Sequence, residues 1–214
     1  MNLEVNQNIQ KRRRGIETTQ KIMETAAKLF AKQGYDGVAV RTIAEAVGIK
    51  ESSLYNHFRS KADILDALFD HFIRMVPQTR PSEEELDQML AIMQPEEIFK
   101  NIVFHVGSHI SDILANTAMI INLEKYRNPR AAEMYYKYVV NEPADYYERM
   151  IHKMMERELV KPVDARMFAE QYNYVSIALT KEYFMAKNGY ADIQSVVKYM
   201  VKTLTFFCEL MKKQ

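Results

Sequence analysis

One cysteine, Cys208, is all the sequence has, so no internal disulfide framework is available to it. No stretch approaches the ~18 consecutive apolar residues of a membrane span, and the opening MNLEVNQNIQ lacks the apolar centre of a secretory leader. The expectation is a cytoplasmic chain with no membrane partner. Signatures of enzymatic chemistry are missing as well. There is no glycine-rich phosphate loop, no paired nucleophile and base, and no paired motif for zinc hydrolysis. Alternating strand patterns, internal repeats and low-complexity tracts are also absent, which leaves an all-α reading.

What is present suits a folded chain with a sizeable core: 214 residues, 48% hydrophobic and 27% charged. The net charge is only +1, but it is unevenly placed. Residues 1–61 carry 11 Lys and Arg against 6 Asp and Glu, and residues 62–214 carry 18 against 22. The positive excess falls in the same third of the chain as residues 40–61, VRTIAEAVGIKESSLYNHFRSK. Val40, Ile43, Ala44 and Val47 share one face of a short helix. Gly48 supplies the positive φ for a tight turn, and apolar Ile49 packs that corner inward. In the helix that follows, Leu54 and Phe58 point inward, while Ser52 and Asn56, flanked by Ser53 and Tyr55, face out. This is a helix-turn-helix with a small hydrogen-bonding outer surface. Ser and Asn can approach base edges; Tyr55, His57, Arg59 and Lys61 can reach phosphates from the rim. Arg41 and Thr42 on the first helix, and Lys50 before the second, complete the candidate DNA surface. The bland alternative is a stable helical hairpin whose polar residues merely face water. Ser60 with Asp63 reads as the cap of a longer helix carrying Ile64, Leu65, Leu68, Phe69 and Phe72.

From about Thr19 through AAKLFAKQGYDG, AVRTIAEAVGIKESSLYNHFRSK and ILDALF, the first third of the chain resembles the TetR family of transcriptional regulators. The resemblance implies a homodimeric repressor that binds a double-stranded DNA operator and is released by a small effector held in a larger C-terminal domain. It implies that Arg41 and Ser53 touch bases or the groove edge, and that Tyr55, Asn56, His57 and Lys61 hold phosphates. The chain departs from the family pattern at three positions: Ala39 stands where Thr or Ser is common, Lys50 replaces a small capping residue, and Ser52 occupies a frequent glycine position.

Three domains are expected: a flexible basic arm over 1–16 bearing Lys11, Arg12, Arg13 and Arg14; a helix-turn-helix domain with linking helix over 17–76, its first helix starting at Thr18 or Thr19 and stopping at Gly34; and an effector-binding and dimerisation domain over 77–214. The arm reads either as a phosphate-tracking segment or as a solvated tail. Ser82 with Glu85, Asn128 before Pro129, Asp164 and Asp192 read as helix caps, giving about nine helices in all. The last two carry long apolar stripes, and Phe168, Tyr172, Val175, Leu179, Val197, Met200, Leu204 and Phe207 form the expected dimer interface; a self-contained monomer core is the alternative.

Methionines and tyrosines crowd residues 95–158, as suits a chamber for a small amphipathic effector. Asn101, His105, His109, Tyr126, Met150 and Tyr172 are the candidate effector ligands. His105, His109 and Asp112, at i, i+4 and i+7, also offer a divalent metal one helical face. A helical metal-dependent enzyme using that face is the alternative function; pocket-lining or hydrogen-bonded histidines are the simpler reading, and no cofactor is expected. Cys208 lies on an apolar stripe and reads as core.

Overall fold

The structure, a computed structural model, describes residues 2–213, with the side chains of residues 2–8 and 11 outside that description; the expected arm's Met1 and the Lys11 side chain therefore fall outside it. The order of elements is α1 (Asn2–Gln33), α2 (Val40–Val47), α3 (Glu51–Leu54), α4 (Lys61–Met75), a 3-10 turn (Val76–Thr79), α5 (Glu83–Ile92), α6 (Pro95–His109), α7 (Asp112–Glu124), α8 (Pro129–Met134), a wide π-type segment (Tyr135–Asn141), α9 (Glu142–Glu156), α10 (Ala165–Lys187) and α11 (Ile193–Met211). The fold is all-α, with no strand among the described residues.

The chain forms two units. One runs to Val76 and resumes over Ile110–Glu133; the other comprises Pro77–His109 and the chain from Met134 onward. The expected domain over 77–214 is thus discontinuous. Leu114, Ala115, Ile120 and Ile121 on α7 are buried, and α7 packs against α1 and α4 in the first unit. Their apolar side chains have no other way out of water.

Within the first unit, α1 buries Ile22, Ala26, Ala27 and Phe30. The expected start at Thr18 or Thr19 is corrected, because α1 begins at Asn2 and runs through the stretch read as an arm. The two threonines do not cap. Their hydroxyls donate to the carbonyls of Arg14 (2.8 Å) and Gly15 (2.9 Å), one turn earlier, a back-bond that lets a helix run through a residue otherwise suited to starting one. Arg13 pairs with Glu17 at 3.0 Å across the same region, adding i, i+4 support. Gly34, at φ 76°, ends α1. Ser60 accepts from the Asp63 amide to start α4. Arg130 bridges Asp66 and Asp70 and lies 5.5 Å from the centre of the Phe69 ring. Buried Glu124 is neutralised by Arg127 through bonds of 2.6 and 2.7 Å.

The second unit is built on an aromatic web. Tyr172 meets Phe99 at 5.0 Å, Tyr147 at 4.8 Å and Phe207 at 5.3 Å between ring centres, each edge to face, an arrangement favoured by the ring quadrupoles. Met150, Ile151 and Met154 on α9 and Ala169 on α10 are fully enclosed around it. The wide turn at Tyr135–Asn141 leaves carbonyls outside an ordinary i−4 ladder. Buried Asn173 supplies donors, 2.9 Å to the Val140 carbonyl and 3.3 Å to that of Val139. Caps read from the sequence recur here: Ser82 and Glu85 form a complete capping box, and Asp164 and Asp192 accept from backbone amides.

Candidate nucleic-acid interface

Ile43, Ala44 and Val47 hold α2 to the unit's core, and Gly48, at φ 82°, turns the chain with its amide on the Ala44 and Glu45 carbonyls. The next amide, of Ile49, also reaches Ala44, at 3.0 Å. Lys21 donates to the Val47 carbonyl at 2.9 Å, placing a cation where the helix dipole is negative. Beyond the turn, α3 is short, but the amides of Tyr55, Asn56, His57 and Phe58 continue the coil with bonds to Glu51, Ser53 and Leu54 carbonyls. Leu54 and Phe58 are buried and anchor it. Neither Ala39 nor Lys50 caps its helix through a side chain, so both helices start with unclaimed amides.

The outer surface carries most of the predicted residues. Ser52, Asn56, Lys50, Arg41 and Thr42 are exposed, Tyr55 is 47% exposed, and Ser53 is half-buried. Arg41 is held by Glu45 at 2.8 Å, which raises its already high pKa and aims its guanidinium along α2. The i, i+4 spacing of Arg41 and Glu45 was available as a signal for this pair.

Two predicted phosphate ligands have structural duties. Lys61 Nζ donates to the carbonyls of Tyr35 (2.9 Å) and Val38 (3.0 Å) and sits 4.3 Å from the Tyr35 ring centre. Two of its three donors are therefore spent closing the loop between α1 and α2. His57 is half-buried, with Nδ1 2.8 Å from the Thr19 hydroxyl. Thr19, Lys21 and Tyr35 are functional supports that sequence reasoning missed, because each acts on a residue distant in the chain.

A shallow cleft of about 600 Å³ on this unit is lined by Arg12, Thr19, His57, His71 and Arg74, among others. Burial, then the field of Arg74, lowers the His71 pKa.

The candidate effector ligands divide between the two units. Met150 and Tyr172 are core residues of the second unit, whereas Tyr126 belongs to the first unit and is 86% exposed. Asn101 bonds back to the Glu97 carbonyl at 2.9 Å. The metal face is corrected too. His105 and His109 stack at 4.1 Å on α6, but α6 ends at His109, and Ser111 caps a new helix that begins at Asp112. The i+7 relationship fails at that break. Among the described residues, no group of three or more His, Cys, Asp or Glu is arranged to hold a metal.

The residues of the expected dimer stripe differ in exposure. Tyr172, Leu179, Leu204 and Phe207 are buried inside the protomer, Phe168, Val175 and Met200 are half-buried, and Val197 is exposed. The exposed apolar surface of the last two helices is instead carried by Tyr174, Met185, Val201, Phe206 and Leu210 with Val197. The free thiol of Cys208 is buried, and burial, followed by the field of Glu96, pushes its pKa up to about 12.

The N-terminal unit thus carries a helix-turn-helix corner. Residues 22–68 match the model of the bacterial regulatory proteins of the tetR family. YerO, an HTH-type transcriptional regulator of Bacillus subtilis (strain 168), is 27% identical over 107 residues, covering 50% of this chain and 35% of that protein. The icaADBC biofilm operon negative regulator IcaR of Staphylococcus aureus (strain Newman) is 48% identical over 46 residues, 22% of this chain and 25% of that protein. The matched parts thus span a third or less of the IcaR length and about a third of the YerO length. Among solved structures, a transcriptional regulator from Saccharomonospora viridis in complex with choline superposes with a TM-score of 0.66 at 21% identity, covering 90% of this chain and 96% of that one. A TetR-family regulator from Mesorhizobium loti gives 0.64 at 14% identity, covering 94% and 99%. Over residues 22–68 the chain is similar to the bacterial regulatory proteins of the tetR family, and its fold is that of the TetR-like structures. Among the described residues no helix is long and apolar enough to cross a membrane.

Proposed function

We propose that the chain is a homodimeric, operator-binding repressor released from DNA by a small amphipathic effector. The observation that carries this reading is the exposed Ser52, Tyr55 and Asn56 surface, held on the buried pair Leu54 and Phe58 behind the left-handed turn at Gly48. Short hydrogen-bonding side chains on a rigid corner fit the major groove, and Lys50 and Arg41 add phosphate attraction. Two such corners must sit about 34–36 Å apart to read successive turns of DNA. The outward apolar faces of α10 and α11, with Val197, Val201, Phe206 and Leu210 exposed, support pairing with a second copy there. Repression is supported by the negative regulator matched over 46 residues. An effector in the second unit is supported by its methionine and tyrosine content, and a similarly folded regulator is known as a choline complex.

The test is selection of genomic fragments by the purified chain, with its mass measured by light scattering at the same concentrations. A dimer that enriches a fragment over random duplex is expected. A monomer, or a dimer with no preference, overturns the reading.

A further inference from the structure

Arg80 follows directly on the 3-10 turn Val76–Thr79, in the second unit. Its guanidinium lies 5.9 Å from the centre of the Tyr146 ring and makes no ion pair within 4 Å among the described residues. The neighbouring cation Arg149 is already committed to Glu83 at 3.2 Å. Glu142 is the acid whose field reaches Arg80, yet burial outweighs it and lowers the Arg80 pKa. Beside it, the Tyr146 hydroxyl is sealed from solvent, on a residue only 5% exposed, and has no hydrogen-bond partner among the described residues. Burial also raises the pKa of that hydroxyl, so it stays a protonated donor.

Half-buried cations without a carboxylate and buried hydroxyls without an acceptor are each costly, and native proteins seldom keep either. Here the two stand together, and both want the same thing, an oxygen acceptor carrying negative charge. Among the described residues none is within hydrogen-bond reach of the phenol or paired with the guanidinium. We propose that Arg80 and Tyr146 form the head-group end of a ligand site that takes an oxyanion, the carboxylate or phosphate of a small molecule. The guanidinium supplies parallel N–H donors and the phenol a further O–H, the geometry that carboxylates and phosphates accept best. Tyr147 stacks on Phe99 at 6.4 Å next to Tyr146, so the head-group end borders the aromatic core of the second unit. This site gives the effector of the proposed regulator a chemical class, and to that extent it rests on that reading. Its place in the chain suits signalling: an anion held by Arg80 fixes the residues immediately beyond Val76, where the DNA-reading unit ends.

The test uses the full chain with two probes, octanoate and inorganic phosphate, in titration calorimetry and thermal unfolding. Wild type is compared with Arg80→Met, Arg80→Lys and Tyr146→Phe. The expected result is saturable binding with a raised melting temperature, weakened about tenfold or more by Arg80→Met and partly preserved by Arg80→Lys, as loss of a charge-assisted bond requires. Tyr146→Phe weakens it severalfold. Octanoate binding more tightly than phosphate assigns an amphipathic acid; phosphate alone assigns the bare oxyanion. If Arg80→Met does not fold, the other two variants carry the comparison. Failure of both probes to bind wild type at millimolar concentration, or undiminished binding by the variants, overturns the site. Fragment selection by wild type without either probe tests the regulator separately, so the two failures are distinguishable.

Discussion

The hydroxyl of Thr19 and the imidazole Nδ1 of His57 meet at 2.8 Å, tying α1 to the coil that follows α3. The hydroxyl has one proton and gives it to the Gly15 carbonyl at 2.9 Å. Nδ1 must then be the donor to Thr19. His57 therefore ties the coil after α3 to α1. Thr19→Val is expected to lower operator affinity about fivefold while the fold persists, since the lost bond is worth about 1 kcal/mol. Fluorescence anisotropy with a fixed operator measures it; unchanged affinity would show that this tie does not matter to docking.

Asn56 and Lys50 should fail in different ways. If Asn56 reads base edges as proposed, Asn56→Ala is expected to cost about 1–3 kcal/mol on the operator while hardly changing affinity for random duplex. Lys50→Ala should weaken both equally and reduce the salt slope of log affinity by about one. Parallel salt titrations on the two DNAs separate them, and identical behaviour of the variants would contradict the assignment.

Lys61 is predicted to be a stability residue. Lys61→Met strips the Tyr35 and Val38 carbonyls of their donor, at a cost of about 1–3 kcal/mol. Urea unfolding should show a lower midpoint, with the salt slope of DNA binding close to that of wild type. A shallower slope at unchanged stability would return Lys61 to the phosphate contacts.

Cys208 should be inert in the native chain. Burial disfavours its thiolate, so the folded pKa lies above the ordinary thiol value, at about 12. Whatever stability this linkage contributes is fully present below the unfolded pKa and is lost as pH rises from about 9 toward 12. Ellman's reagent at pH 8 should react slowly with native protein and at once after denaturation; rapid native labelling would place the thiol on the surface.

The recognition corner was legible because its determinants are local. Val40, Ile43, Ala44, Val47 and Gly48 lie within nine consecutive positions, and their spacing allows one geometry. The start of α1 was not, because a threonine hydroxyl serves equally as a cap or as a donor to the carbonyl four residues back, and the choice at Thr18 and Thr19 depends on what precedes them. The metal face failed at Ser111, whose cap breaks a pattern that looks continuous from His105 to Asp112. The interface stripe mixes buried and outward residues because α10 and α11 are apolar on more than one side. Periodicity finds Tyr172, Leu179, Leu204 and Phe207 as readily as the outward Val197, Val201, Phe206 and Leu210, and only the packed fold says which set is already covered.

The broad coil at Tyr135–Asn141, with Asn173 gripping the Val139 and Val140 carbonyls, amounts to a stored surplus of chain. Removing one residue there lets the backbone contract to normal pitch without turning Tyr146, Met150 or Met154 away from the interior. The same deletion inside α9 would swing them all about 100° around the helix axis. Length variation should be survivable at that one spot, and evolution or an engineer has room there to lengthen or shorten the strut beside Arg80.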